Sequence, residues 1–221
     1  MRLVVFDVDG TLVDSQHHIH ASMAAAFGAI GLATPTLAEV HAVVGLSLPR
    51  AIMHIRPELS ETQLRAAVAA YRIHFHDAHD AHGEMEAPLF PGARHCLEKL
   101  AARDDLLLAV ATGKGRRGLD ALMAQHDLTG FFTAMECADR HPSKPHPAML
   151  EAVCNGLGIA PDAAVMIGDT SFDMEMARSV GVTPLGVAWG YHAPERLEAS
   201  GAVWVARDFD ALTGWIKDWA A

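Results

Sequence analysis

Leu3–Phe6, Leu106–Ala111 and Ala163–Ile167 are short runs of apolar residues with nothing polar between them. A strand with one face in water alternates apolar and polar residues, whereas an unbroken run belongs to a strand covered on both faces. Weaker runs of the same kind lie near Thr133–Met135, Leu185–Ala188 and Ala202–Val205. Between them fall helical patterns at about Ala93–Ala102, Arg116–His126, Pro147–Leu157, Phe172–Val180 and Phe209–Trp219. Parallel neighbours need crossover connections, and helices in that role cover both faces of the sheet. The expected fold class is therefore α/β, a doubly wound and mostly parallel sheet.

One stretch breaks the alternation. From Ser15 to about Gly83 the patterns are helical, with Ile19, Met23, Phe27 and Ile30 on one face of a first helix. Ser60-Glu61-Thr62-Gln63 fits a capping box, and Leu64, Val68, Tyr71 and Phe75 continue it as an apolar stripe. Gly83, Pro88, Pro91 and Gly92 punctuate the return to the sheet. These patterns predict an α/β core formed by residues 1–14 with 88–221 and an inserted all-helical subdomain over 15–87. The insert would hang on two short linkers, near Val13–Gln16 and Gly83–Pro88.

Charge narrows the partners. Seventeen basic against 27 acidic residues leave a formal net charge of −10, which opposes nucleic acid and anionic membranes as partners. An anionic substrate would need a local cation, from a metal or a lysine. Cys96, Cys137 and Cys154 are isolated, with no CxxC pair, and read as reduced thiols. Arg2 and Asp7 come too early for a signal-peptide core, and no apolar run nears the roughly 20 residues of a membrane span. A cytoplasmic location is expected, as a monomer or homodimer.

Chemistry concentrates where the strands end. Asp7-Val8-Asp9-Gly10-Thr11-Leu12 follows the first strand directly, and two carboxylates two residues apart can face one crevice if the chain turns at the glycine. Alone, Asp-Gly is as readily an ordinary turn. However, Thr112-Gly113 ends a second strand, Gly168-Asp169-Thr170-Ser171-Phe172-Asp173 ends a third, and Lys144 stands in Pro142-Ser143-Lys144-Pro145 before a helix. Open parallel sheets bind ligands beyond the carboxyl ends of their strands, so the fold would gather Asp7, Asp9, Thr112 and Asp169.

In this order the residues resemble the four motifs of the haloacid dehalogenase superfamily, over the whole chain, with a Rossmann-like core. The helical insertion after the first motif resembles the small C1-type cap of the phosphoglycolate phosphatase-like branch, and Trp189-Gly190-Tyr191-His192 with Pro194-Glu195 is similar to a stretch of that branch. The resemblance implies a Mg2+-dependent phosphatase of a small phosphorylated metabolite, 2-phosphoglycolate first among them. It implies Asp7 as nucleophile and metal ligand, Asp9 as general acid and base and as a ligand through its backbone carbonyl, and Asp169 as the third ligand. Lys144 and Thr112 would complete the catalytic set, with Gly113 binding phosphate through its N–H. Asp173 would orient Lys144 or a metal-bound water, or serve only as a helix-start charge.

Weaker features carry weaker expectations. Gly113-Lys114-Gly115-Arg116-Arg117-Gly118 lacks the spacing of a nucleotide phosphate loop, and its charges read as solvated or as attracting an anionic substrate. His74, His76, His79 and His82, and likewise His17, His18 and His20, read as a solvated polar face rather than a metal or substrate site. In the loop Gly45-Leu46-Ser47-Leu48-Pro49-Arg50, Ser47 and Arg50 are candidates for recognising the substrate, Arg50 through a carboxylate or second phosphate. The rival functions are a pyrophosphatase or a sugar-phosphate mutase of the same superfamily, a dehalogenase, or a non-catalytic binding protein. A dehalogenase needs neither Asp9 nor Asp169, and mutases similar to β-phosphoglucomutase carry a Glu-Asp pair where this chain has Gly168-Asp169.

Overall fold

The structure is a computed structural model. It describes residues 1–82 and 87–221, with only the backbone of 76–82. The Gly83–Pro88 linker and the side chains of His76, His79 and His82 thus lie largely outside the described residues.

In chain order the elements are β1 (Arg2–Phe6), α1 (Gln16–Gly28), α2 (Leu37–His41), α3 (Leu48–Ile55), α4 (Glu61–His82), α5 (Ala93–Ala101), β2 (Leu106–Thr112) and α6 (Arg116–Gln125). There follow β3 (Ala134–Cys137), α7 (Ala148–Leu157), β4 (Ala164–Gly168), α8 (Ser171–Val180), β5 (Thr183–Val187), α9 (Pro194–Ala199), β6 (Trp204–Ala206) and α10 (Phe209–Ala220). The described strands form one parallel sheet in the order β3-β2-β1-β4-β5-β6. This is the doubly wound α/β class that the unbroken apolar runs predict.

Side-chain alternation in β1 sorts its residues between two cores. Val4 and Phe6 face a cluster with Leu97, Leu119, Phe209 and Leu212, whereas Leu3 and Val5 face Met149, Leu150, Val153 and Met176. Every residue from Leu3 to Phe6 is fully buried, which is why alternation is absent from the sequence of this central strand. Strand order reverses direction between β1 and β4, whose residues pair as Val5 with Met166 and Phe6 with Ile167. The carboxyl ends of these neighbours are the topological switch point where such sheets bind ligands.

The helices inserted after β1 have a core of their own. Ile19, Met23 and Phe27 of α1 pack with Val40, Ile52 and Ala67, and Leu64, Val68, Tyr71 and Phe75 of α4 cover them. The capping box before α4 is present, with Gln63 N–H donating to Ser60 Oγ at 3.3 Å and Ser60 N–H to Gln63 Oε1 at 3.1 Å. Where chain leaves and re-enters the sheet domain, Val13 and Leu89 form an antiparallel bridge. Asp14 N–H donates to Pro88 O and Phe90 N–H to Leu12 O, at 2.9 and 3.0 Å, tying the two crossings side by side. Among the described residues no helix is long and apolar enough to cross a membrane.

Candidate active site

The turn after β1 is built on Gly10. Its φ of +83° is one that a side chain strains, and a Cβ there would stand 2.2 Å from Asp169 Oδ2. Leu12 N–H closes the turn on Val8 O at 2.8 Å. The chain can thus reverse within van der Waals contact of the carboxylate that ends β4.

Asp7, Asp169 and Asp173 offer carboxylate oxygens all within 4.8 Å of one another, and all three are buried. Thr11 Oγ1 donates to Asp169 Oδ1 at 2.9 Å and Tyr191 N–H to Asp169 Oδ2 at 2.9 Å. Lys144, expected at the site yet of a type most often exposed, is buried. Its Nζ lies 2.9 Å from Asp7 Oδ1 and 2.7 Å from Asp173 Oδ1. Asp173 Oδ2 accepts from the N–H and hydroxyl of Thr170 at 3.1 and 2.7 Å. Asp173 thus pairs with Lys144 and caps the start of α8.

Asp7 differs from its neighbours. Its Oδ1 lies against the Lys144 ammonium, and among the described residues nothing else reaches its two buried carboxylate oxygens as a hydrogen-bond donor. Burial pushes the Asp7 carboxyl up to about 7 against the pull of Lys144, with Asp173 and Asp9 adding to the rise. Asp169 is raised well above the usual carboxylate range, by burial first and then by Asp7 and Asp173. Burial alone would lower Lys144, but Asp173 and Asp7 outweigh it and hold the ammonium charged. Fully ionised, three carboxylates facing one ammonium would carry two surplus negative charges. A divalent cation with a taste for oxygen ligands matches that set, so the residues present fit Mg2+.

Of the remaining residues expected at the site, all but Arg50 lie around this centre. Asp9 and Thr112 are buried, and both line a cavity of about 620 Å3 shared with Asp7, Gly113, Ser47 and Tyr71. Thr112 Oγ1 accepts from Lys114 N–H at 3.2 Å. Asp9 accepts from Ser15 Oγ at 2.6 Å and from Lys114 Nζ at 3.0 and 3.2 Å. The cavity roof is the loop between α2 and α3, from which Ser47 N–H donates to Ser143 Oγ at 2.8 Å.

Arg50 is not brought to this cavity. It is exposed and lines a separate depression with Ser143, Pro145 and His146. Ala51 and Ile52 take the buried face of α3, which turns Arg50 outward. Arginines on the wall of the main cavity are instead Arg72 and Arg117. Among the histidines of the insert, His17 is exposed, whereas His20 Nε2 pairs with Pro35 O at 2.9 Å and His18 Nε2 with Phe75 O at 3.1 Å.

Sequence reasoning gave no role to Thr11, Ser15 or Tyr191. Tyr191 holds Asp169 through its N–H, meets Ser15 Oγ through its hydroxyl at 3.2 Å, and stacks on His41 of α2 at 4.9 Å between ring centroids. Trp189 Nε1 donates to Thr11 O at 3.0 Å, and His192 Nδ1 accepts from Ser171 N–H at 3.0 Å. The available signal was the Trp189–His192 run itself, which forms the wall behind Asp169.

Known proteins resemble this chain in sequence and fold. The chain is 31% identical to "Probable phosphatase IndB" of Dickeya dadantii, over 96% of this chain and 92% of that one. It is 29% identical to a phosphoglycolate phosphatase of Vibrio vulnificus, over 93% and 92% of the two chains. A solved hydrolase of the haloacid dehalogenase-like family from Streptococcus pneumoniae superposes with a TM-score of 0.83 at 27% identity, covering 98% of each chain. Residues 4–187, from the first strand through β5, match the model of the haloacid dehalogenase-like hydrolases, and the chain belongs to that family.

Proposed function

We propose that the protein is a Mg2+-dependent phosphatase of small phosphorylated metabolites that works through a phosphoryl group carried on Asp7. The observation that carries this reading is Asp7 itself, a buried carboxylate 2.9 Å from the Lys144 ammonium at the switch point of the sheet. The similarity to proteins named as phosphatases supports it, and that to a phosphoglycolate phosphatase makes 2-phosphoglycolate the first substrate to try.

Asp7 and Asp169, with the backbone carbonyl of Asp9, would hold the ion. When bound, Mg2+ supplies positive charge that offsets repulsion between the nucleophile and the phosphoryl oxygens. Asp7 attacks phosphorus and the ester oxygen departs with a proton from Asp9; water, deprotonated by Asp9, then releases phosphate from Asp7. Lys144, kept in place by Asp173, and Thr112 with the Gly113 N–H bind the oxygens of the transferring group. Residues 15–87 act as a cap whose α2–α3 loop, with Ser47, closes over the leaving group and excludes water. Three buried free thiols, Cys96, Cys137 and Cys154, suit the reducing cytoplasm.

Hydrolysis of p-nitrophenyl phosphate, with Mg2+ or with chelator, tests the reading beside Asp7→Asn. Turnover should require Mg2+, and the variant should lose roughly 10^6-fold in kcat, as expected for removal of a covalent nucleophile. Equal turnover by the two proteins, or indifference to chelation, would overturn it.

A further inference from the structure

Lys114 takes no part in the reaction just described, yet it grips the group that must protonate the leaving oxygen. Its Nζ bonds both carboxylate oxygens of Asp9 at 3.0 and 3.2 Å, and the two side chains are only 7% and 11% exposed. Asp9 Oδ1 also accepts from Ser15, so both oxygens are engaged by donors. To reach a leaving oxygen, Asp9 must turn one of them away from Lys114. An ammonium left behind in so enclosed a place needs another anion.

The surroundings favour exchange. Lys114 stands on the cavity wall with Arg72 and Arg117, neither of which has an ion-pair partner among the described residues. Its Nζ also lies 4.7 Å from the centroid of Phe75, on cap helix α4, so an aromatic face is ready to hold the cation on the leaving-group side. A lysine is a point charge on a flexible stem, able to change partners without rebuilding the site. Asp139, also on this wall, is already bonded by Arg116 N–H at 2.7 Å.

We propose that Lys114 determines specificity by trading Asp9 for a second anionic group, carboxylate or phosphate, on the leaving alcohol of the substrate. The same contact would recognise the substrate and free the acid. This deepens the phosphatase reading and rests on it. A phosphomonoester with an uncharged leaving group offers Lys114 nothing in return and leaves Asp9 gripped.

The test compares kcat/KM for 2-phosphoglycolate, for ethylene glycol bisphosphate and for ethyl phosphate, which has neither second charge. The wild type should favour the charged substrates by about tenfold or more, and whichever of the two leads names the group. In Lys114→Met that ratio should collapse toward one whatever happens to the absolute rates, with Lys114→Arg keeping part of it. Calorimetric titration with glycolate gives a reading apart from turnover, and its binding should vanish in Lys114→Met. A wild type without preference, or a ratio and glycolate affinity that survive both substitutions, would overturn the proposal while leaving hydrolysis of p-nitrophenyl phosphate intact. Loss of that hydrolysis in the wild type would sink the phosphatase reading itself.

Discussion

As the proposed nucleophile Asp7 must be buried and yet available as an anion, and it is crowded by like charges that Lys144 offsets only in part. The consequence is a pH dependence of stability with a definite sign. Burial raises Asp7 to about 7 and lifts Asp169 in the same direction. Between about pH 4 and 7 the chelated, folded protein therefore holds protons that the unfolded chain has released, and its stability falls as pH rises through that window. Mg2+ competes with those protons for the same oxygens. The gain in Tm on adding Mg2+ should thus grow between pH 5 and 8, measured by scanning calorimetry in matched buffers. His192, lowered to about 4 chiefly by burial, works in the opposite sense, losing stability as pH falls below its ordinary value. It does so with and without the metal, and cancels in the difference. A Mg2+ gain flat across this range would show that the carboxylates do not bind it. At this scale the sequence was legible where a residue ends a strand: Asp7, Asp9, Thr112 and Asp169 could be placed from apolar runs alone. Thr11, bonded to Asp169, and Tyr191, bonded to Asp169 and Ser15, could not. Their partners are far away along the chain, and nothing in a hydroxyl or an amide announces a contact at that range.

Among elements, the most demanding contact joins the roof to the floor of the cavity. A Cβ on Gly113 would lie 2.4 Å from the backbone oxygen of Gly45 and 2.8 Å from that of Leu46. Backbone cannot swing aside as a side-chain tip does, and Gly45, with φ of +94°, is itself fixed in a turn that other residues strain. Gly113→Ala should hold the α2–α3 loop off its seat. Displacement near 1 Å from reacting groups costs about 10^2-fold in rate, so kcat should fall on that scale. The Mg2+-induced rise in Tm should match the wild type, because Asp7 and Asp169 are untouched. An unchanged kcat would mean that this contact is not needed for turnover. The helices and strands were legible because their patterns run over many residues, and the capping box before α4 marks its start to the residue. Loop contacts were not. Gly113 and Gly45 are unremarkable as letters, and Arg50 was expected to face the substrate although its helix buries Ala51 and Ile52 and turns it outward.

Taken whole, the molecule packs its inserted helices on a core separate from those of the sheet. The cluster of Phe27, Ile19, Met23, Val40 and Ile52 has no residue in common with the two clusters that sandwich the sheet. A core of its own for the inserted helices implies separable stability. Phe27 is fully buried, and Phe27→Ala removes about 3–5 kcal/mol of packing from helices that a small core supports. Opening of α1 and α3 should then become cheap while β1 and β4 remain closed. Hydrogen exchange should show amides of Ile19–Phe27 and Ile52 losing protection, with those of Val4–Phe6 and Val165–Ile167 nearly unchanged. The variant should still gain Tm with Mg2+ yet turn over p-nitrophenyl phosphate poorly, since a frayed cap no longer shuts out water. Equal loss of protection in the strands would show instead that cap and sheet unfold as one unit, and would remove the mechanical independence that opening and closing requires.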